Sequence, residues 1–159
     1  MAANPGSSLR RSSAESDSRQ AAAIRVANLI FENLSQLDCL QVHDIVMRGI
    51  PVSLARKVVR SFVVITPTDI RKVLGVSEQA LQRRSDAALD VNASDRTLRL
   101  LSVMEQATAV LGARDVAERW LASPAAGLDR RRPIDLLISS DGTKMVKTLL
   151  SQMEYGVYA

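Results

Sequence analysis

Only five of the 159 side chains are aromatic, two Phe, one Trp and two Tyr, so this chain has few ways to fill an interior. Its core volume must come from Leu, Val, Ile and Ala, a palette that suits helices packed on helices. At 47% apolar and 24% charged, the composition is that of a globular protein, long enough for one domain or two small ones. No run approaches the ~18 apolar residues of a membrane-spanning helix, and no segment has the apolar centre of a signal peptide. The single cysteine, Cys39, excludes an internal disulfide and fits a reducing cytoplasm. Lying among Leu37, Leu40 and Val42, it reads as a small core residue.

Periodicity divides the chain. Residues 1–18 are rich in Ser and Ala, carry Asn4-Pro5-Gly6 and lack an apolar stripe, which predicts a disordered tail. Residues 19–49 carry two stripes, Ala23, Ala27, Ile30, Phe31 and Leu34, then Leu40, Ile45 and Val46 before Gly49 and Pro51. The first stripe suits either a second copy of the chain or the chain's own core. Residues 50–112 hold short helices. Thr66-Pro67-Thr68-Asp69 is a helix start, Gly75 a stop, and Ser77 a cap for a helix from Glu78 to about Arg84. Ser94 is expected to cap a long helix ending at Gly112. Residues 113–159 contain a short helix with Trp120, a turn at Pro133, and a last helix capped by Asp141 and stopped by Gly156. No strand alternation is present, so the expected class is all-α.

The charge is uneven. Residues 51–100 hold nine Lys/Arg against five Asp/Glu, a balance of +4 that equals the charge of the whole chain. A basic middle fits an acidic partner such as DNA, or simply a solvated helix surface. Ile70, Leu74, Val76 and Leu81 fall where two short helices around Gly75 need contacts, which is helix-turn-helix spacing. Gln79, Gln82 and Arg83 are side chains that read base edges, and Arg71, Lys72 and Arg84 are placed to grip phosphates. A helical hairpin kept for architecture alone would show the same apolar pattern.

The other end is unusual. Tyr155, Val157 and Tyr158 cluster in the last five residues, where chains normally carry polar ones. Ordering five backbone residues costs about 5–10 kcal/mol, and burying two Tyr rings and a Val returns roughly 1.5–3 kcal/mol apiece. The balance is near zero. The terminus therefore packs on its own core or enters another molecule's pocket, where hydrogen bonds to the terminal carboxylate would tip it.

Catalytic patterns are missing. His43 has no second ligand near it, one His and one Cys cannot form a zinc set, Ser139-Ser140 lacks a nucleophile elbow, and no glycine-rich phosphate loop occurs. The sequence reads as a non-enzyme that needs no cofactor.

Several motifs stand in a fixed order: Ala117-Glu118-Arg119-Trp120-Leu121, Arg132-Pro133-Ile134-Asp135-Leu136-Leu137, Asp141-Gly142, and the terminal Glu154-Tyr155-Gly156-Val157-Tyr158-Ala159. With Arg48-Gly49-Ile50-Pro51-Val52-Ser53 and Ser94-Asp95-Arg96 upstream, the chain from about residue 45 to 159 resembles the Xre/MbcA/ParS family of antitoxins, partners of RES-domain toxins. That resemblance implies an Xre-like helix-turn-helix domain followed by a small helical toxin-binding domain. It implies a RES toxin that uses NAD, either destroying it or transferring its ADP-ribose, and an antitoxin that blocks the NAD pocket and represses the shared operon. Glu154, Tyr155, Gly156, Val157, Tyr158 and Ala159 would then line that pocket, and Arg132 and Pro133 would shape the turn before it. Operator DNA and a homodimer within a larger toxin–antitoxin assembly are the further partners expected. The competing expectation is a stand-alone helix-turn-helix repressor.

Overall fold

A computed structural model describes residues 6–156 of the chain. Among the described residues, nine α-helices run in the order α1 (Gly6–Asn33), α2 (Cys39–Arg48), α3 (Val52–Ser61), α4 (Pro67–Leu74), α5 (Glu78–Leu81), α6 (Val91–Leu111), α7 (Arg114–Ala122), α8 (Pro133–Leu136) and α9 (Ser140–Glu154), with 3-10 turns at Leu34–Gln36 and Ala126–Leu128. The class is all-α: no strand is formed by the described residues.

Helix α6 is the axis of the packing. It touches α2, α3 and α4 on one side and α7 and α9 on the other. Thr97, Leu98, Leu100, Leu101, Val103, Met104 and Ala107 are all buried, a wider apolar girdle than the single stripe of a surface helix. The N-terminal half of the core gathers Leu54, Val58, Ile70 and Leu74 around it, and the C-terminal half gathers Leu121, Ile134, Leu137, Val146 and Leu150. Leu, Ile and Val thus supply the interior, as the scarcity of aromatics requires.

The start of α6 differs from expectation. Asp90 is the cap, its carboxylate accepting from the Ala93 N–H at 2.8 Å. Ser94 lies one turn inside, fully buried, where its hydroxyl accepts the Ile50 N–H at 3.0 Å. Ser94 therefore links α6 to the segment entering α3. The last helix shows the same shift: Ser139, not Asp141, caps α9, accepting from the Gly142 N–H at 3.0 Å. Both positions offer several cap-type residues close together, and tertiary packing chooses among them.

Further differences from expectation lie near the N-terminus. Of the disordered tail expected over residues 1–18, Met1–Pro5 lie outside the described residues, and from Gly6 onward the backbone is helical. Between Ser7 and Asn33 no Pro or Gly interrupts the chain, so a helix anchored at its packed end extends backward. Gln20 reinforces it by donating to the Ser85 hydroxyl at 3.2 Å. Ala27 and Ile30 are buried in the chain's own core, since α1 lies against α3. That face of α1 is thereby taken. Cys39 is exposed rather than buried, and Leu40 is 70% exposed. With Asp38 capping α2, its packed face is Val42, Ile45 and Val46, and Leu40 projects away from it.

Two contacts fix neighbouring elements against each other, the first between the halves of the molecule and the second within the C-terminal half. Glu118 of α7 is buried, and one carboxylate oxygen accepts the N–H groups of Val63, Val64 and Ile65 at 2.6, 2.5 and 2.9 Å. It fixes the loop that leads into α4 and satisfies three donors at once. Nearby, Arg114 donates to the Ser61 hydroxyl at 3.0 Å and lies over the Phe62 ring. The second contact is steric. A Cβ on Gly142 would stand 2.1 Å from the Leu136 carbonyl oxygen, so α9 reaches α8 this closely only with glycine there.

Both contacts can be tested through stability. Glu118→Ala leaves three partly buried N–H groups without their acceptor and should cost about 2–4 kcal/mol; Glu118→Gln should cost about half as much. Urea midpoints at unchanged m-value measure both, and an alanine variant as stable as the parent would refute the role given to Glu118. Gly142→Ala should cost about 2–3 kcal/mol by overpacking, lowering Tm by roughly 5–10 °C. An unchanged Tm would show that α8 and α9 can separate freely.

Candidate functional site

Two surfaces carry the residues singled out from the sequence. The first is built on α4 and α5. Thr66 accepts from the Asp69 N–H at 3.1 Å with Pro67 in the first helical position, and Gly75 ends α4 in the left-handed conformation. Ser77 caps α5 by accepting from the Ala80 N–H at 3.0 Å. Ile70, Leu74 and Leu81 are buried between the helices. The helix-turn-helix start signals are thus all used.

Its second helix is shorter than expected. It ends at Leu81, not near Arg84, so Gln82, Arg83 and Arg84 lie in the segment beyond it. Arg56 of α3 explains the stop. Its guanidinium donates to the Leu81 carbonyl at 2.7 Å, to the Ser85 hydroxyl at 3.3 Å and to the Arg83 carbonyl. A cation on the free carbonyls of a helix end satisfies them and matches the helix dipole.

Of the expected DNA contacts, Lys72, Gln79, Gln82 and Arg83 are exposed. Arg71 is half-buried and donates to the Thr68 hydroxyl at 3.2 Å. Arg84 is engaged: it pairs with Asp86 at 3.1 Å and donates to the Ser16 hydroxyl. Between α3 and this unit lies a cleft of about 640 Å³ lined by Arg56, Arg60, Arg71, Arg83 and Arg84, with Glu78 as the one carboxylate among its described lining residues. Arg56 and Arg60 have no distinct sequence signal, because α3 reads as an ordinary amphipathic helix. The excess charge of residues 51–100 includes them but does not say which cations converge.

The second surface is at the C-terminus. Asp129 and Arg130 both adopt left-handed backbone, at φ 54° and 57°, and turn the chain so that the Arg131 carbonyl accepts the Ala125 N–H at 3.1 Å. Arg132 then clasps Asp135 with two hydrogen bonds of 2.8 Å each and stands 3.7 Å from Asp69 in the first turn of α4. The hydrogen bonds to Asp135, then its charge and that of Asp69, raise the guanidinium pKa above its ordinary value. Pro133 is buried at the first position of α8. It shapes this turn and offers no surface of its own.

Helix α9 ends at Glu154, and Gly156 at φ 64° turns the chain away while its N–H donates to the Met153 carbonyl at 3.3 Å. Glu154 and Gly156 are exposed, and the Tyr155 ring is 78% exposed. Val157, Tyr158 and Ala159 lie outside the described residues. Beside the last turns of α9 an apolar groove of about 490 Å³ opens between Trp120, Pro124, Leu149 and Met153. Trp120 forms one wall of this groove while packing on the core. No helix among the described residues is long and apolar enough to cross a membrane.

The segments that carry the two surfaces match known families. Residues 41–102 match the antitoxin Xre-like helix-turn-helix domain, and residues 106–156 match the antitoxin Xre/MbcA/ParS C-terminal toxin-binding domain. A curated relative from Pseudomonas putida, described as antitoxin Xre, is 29% identical over 93 residues, 58% of this chain. The alignment spans 58% of the relative's length. The first matched segment ends and the second begins inside α6, which serves both. With a helix-turn-helix and a toxin-binding region in this order on one shared helix, the chain belongs to the Xre/MbcA/ParS family of antitoxins, proteins of toxin–antitoxin systems.

Proposed function

We propose that this antitoxin neutralises a RES-domain toxin that uses NAD, by placing its C-terminal residues in the toxin's NAD pocket, and that its helix-turn-helix unit binds the operator of their shared operon. The observation that carries the first part is Tyr155, a large ring held 78% exposed at the end of a well-packed helix. Tyrosine, with an apolar ring and a polar tip, is enriched where proteins meet their partners. Glu154 to Ala159 form the inserted segment. Its tyrosines supply apolar area with a hydroxyl that needs a hydrogen-bond partner, features suited to a nucleotide pocket. Arg132, next to Pro133, offers a guanidinium already oriented by Asp135. The antitoxin acts by occupancy, with no catalysis and no cofactor of its own, in the cytoplasm where both NAD and the operon are found.

Residues 50–112 would then serve DNA and residues 113–159 the toxin. The assembly is a hetero-oligomer containing two antitoxin copies. Ala27 and Ile30 are already used internally, so the surfaces left to a second copy on residues 19–49 include Leu29, Leu40 and Met47, each more than half exposed.

Deleting Tyr155 to Ala159 should leave a folded protein, because α9 is capped and packed upstream through Leu150. That variant should fail to protect cells expressing the toxin. Full protection by the truncated chain would refute pocket insertion.

The stand-alone repressor reading has its own support in the cation-lined cleft beside α5. Purified protein should retard a duplex carrying its own promoter. Lys72→Ala and Arg83→Ala should each make the salt dependence shallower by about 0.9 in log–log slope for every phosphate the variant no longer neutralises. Indifference to that duplex at low salt would leave the helix-turn-helix a purely architectural unit.

A further inference from the structure

The cleft beside α5 draws cations from three elements. Arg60 is in the last turn of α3 and exposed, Arg71 belongs to α4, and Arg83 follows α5. Among the described residues, no carboxylate stands within ion-pair distance of these three, whereas Arg84 has Asp86 and Arg132 has Asp135. Arg56, which also lines the cleft, is occupied in holding the Leu81 and Arg83 carbonyls and Ser85. Three guanidinium groups without an ion-pair partner face one concavity that only Glu78, among its described lining residues, supplies with a carboxylate, and they repel each other. The fold nonetheless holds them there, since Arg56 fastens the segment that carries Arg83.

We propose that Arg60, Arg71 and Arg83 form a phosphate clamp on duplex DNA, with α3 contributing to the interface although it lies outside the helix-turn-helix pair. This rests on the DNA-binding reading above and deepens it. The favoured ligand is a polyanion with regularly spaced charges, because the cations sit on three separate elements around a cleft of about 640 Å³ that adjoins the helix-turn-helix pair. Duplex DNA is chosen over an acidic peptide by what adjoins the clamp. Gln82 lines the same cleft and Gln79 is exposed on α5, and amides beside phosphate-gripping cations are the arrangement that reads base edges while the backbone is held. Arg56 is a positioning residue: it touches no DNA but sets where Arg83 stands.

The test uses the full chain and two duplexes of equal length, one from its own promoter and one of random sequence, titrated between about 50 and 200 mM salt. Arg60→Ala should weaken binding to both duplexes alike and make the slope of log affinity against log salt shallower by about 0.9. Arg60→Gln, which keeps much of the side-chain length, should do the same. Arg119→Ala removes an equal charge from exposed α7 and should leave the slope at the parent value. If both Arg60 variants keep the parent slope while Arg83→Ala loses its increment, α3 is not part of the interface and the clamp is refuted, with the helix-turn-helix reading intact. If the parent protein binds neither duplex, both readings fall. A loss confined to the promoter duplex would assign Arg60 to base reading and also overturn the clamp.

Discussion

The broad buried face of α6 is the constraint from which the rest of this structure follows. A helix that hides Leu98, Leu100, Val103, Met104 and Ala107 at once cannot be served by one partner helix. It needs α2, α3 and α4 around its first half and α7 and α9 around its second. The helix-turn-helix and the toxin-binding region are therefore two ends of one packed core, not beads on a linker. The polar ties reinforce this. Glu118 reaches from α7 to the loop before α4, and Arg132 reaches from the turn before α8 to Asp69 at the start of α4. The helix-turn-helix is thus set in place by residues of the toxin-binding half.

The fold class is legible in composition, because a chain poor in aromatics and rich in Leu, Val, Ile and Ala has helices as its natural solution. Helix ends are legible where one cap residue stands alone. Thr66 with Pro67, and Ser77, each cap as expected. The signal fails where candidates crowd together, as at Asp90, Asn92 and Ser94, since only packing decides which side chain faces the helix end and which enters the core. Leu40 and Cys39 depart from expectation for a related reason: the facing of α2 is set by its Asp38 cap, and a stripe with irregular spacing does not reveal it. The helical extension back to Gly6 has no signal of its own, because Ser- and Ala-rich sequence is neutral until something anchors one end.

The binding surfaces show the same division. Local chemistry is readable: glutamines and cations after Ser77, tyrosines at the chain end. Long-range chemistry is not. Nothing near Glu118 in sequence announces that its carboxylate will collect three backbone N–H groups more than fifty positions upstream. Nor does α3 announce that Arg56 will end α5. Asp141-Gly142 acquires a reason only in three dimensions, where the glycine admits the Leu136 carbonyl and the aspartate merely occupies a first turn. Backbone acceptors and donors have no sequence signature, so side chains that serve them are recognised only once the chain is folded.

What unites these features is a separation of tasks: apolar side chains are spent inside around α6, cations are gathered beside α5, and an aromatic ring is left in solvent at the end of α9. The last of these is the central claim, that Tyr155 is held out for another molecule. Hydroxyl-radical footprinting of Tyr155, in the isolated antitoxin and in its complex with the toxin, tests it most directly. The ring should be heavily modified when the antitoxin is alone and shielded once the toxin is bound. Equal modification in both states would mean that the exposed tyrosine has no partner there, and the docking account would be wrong.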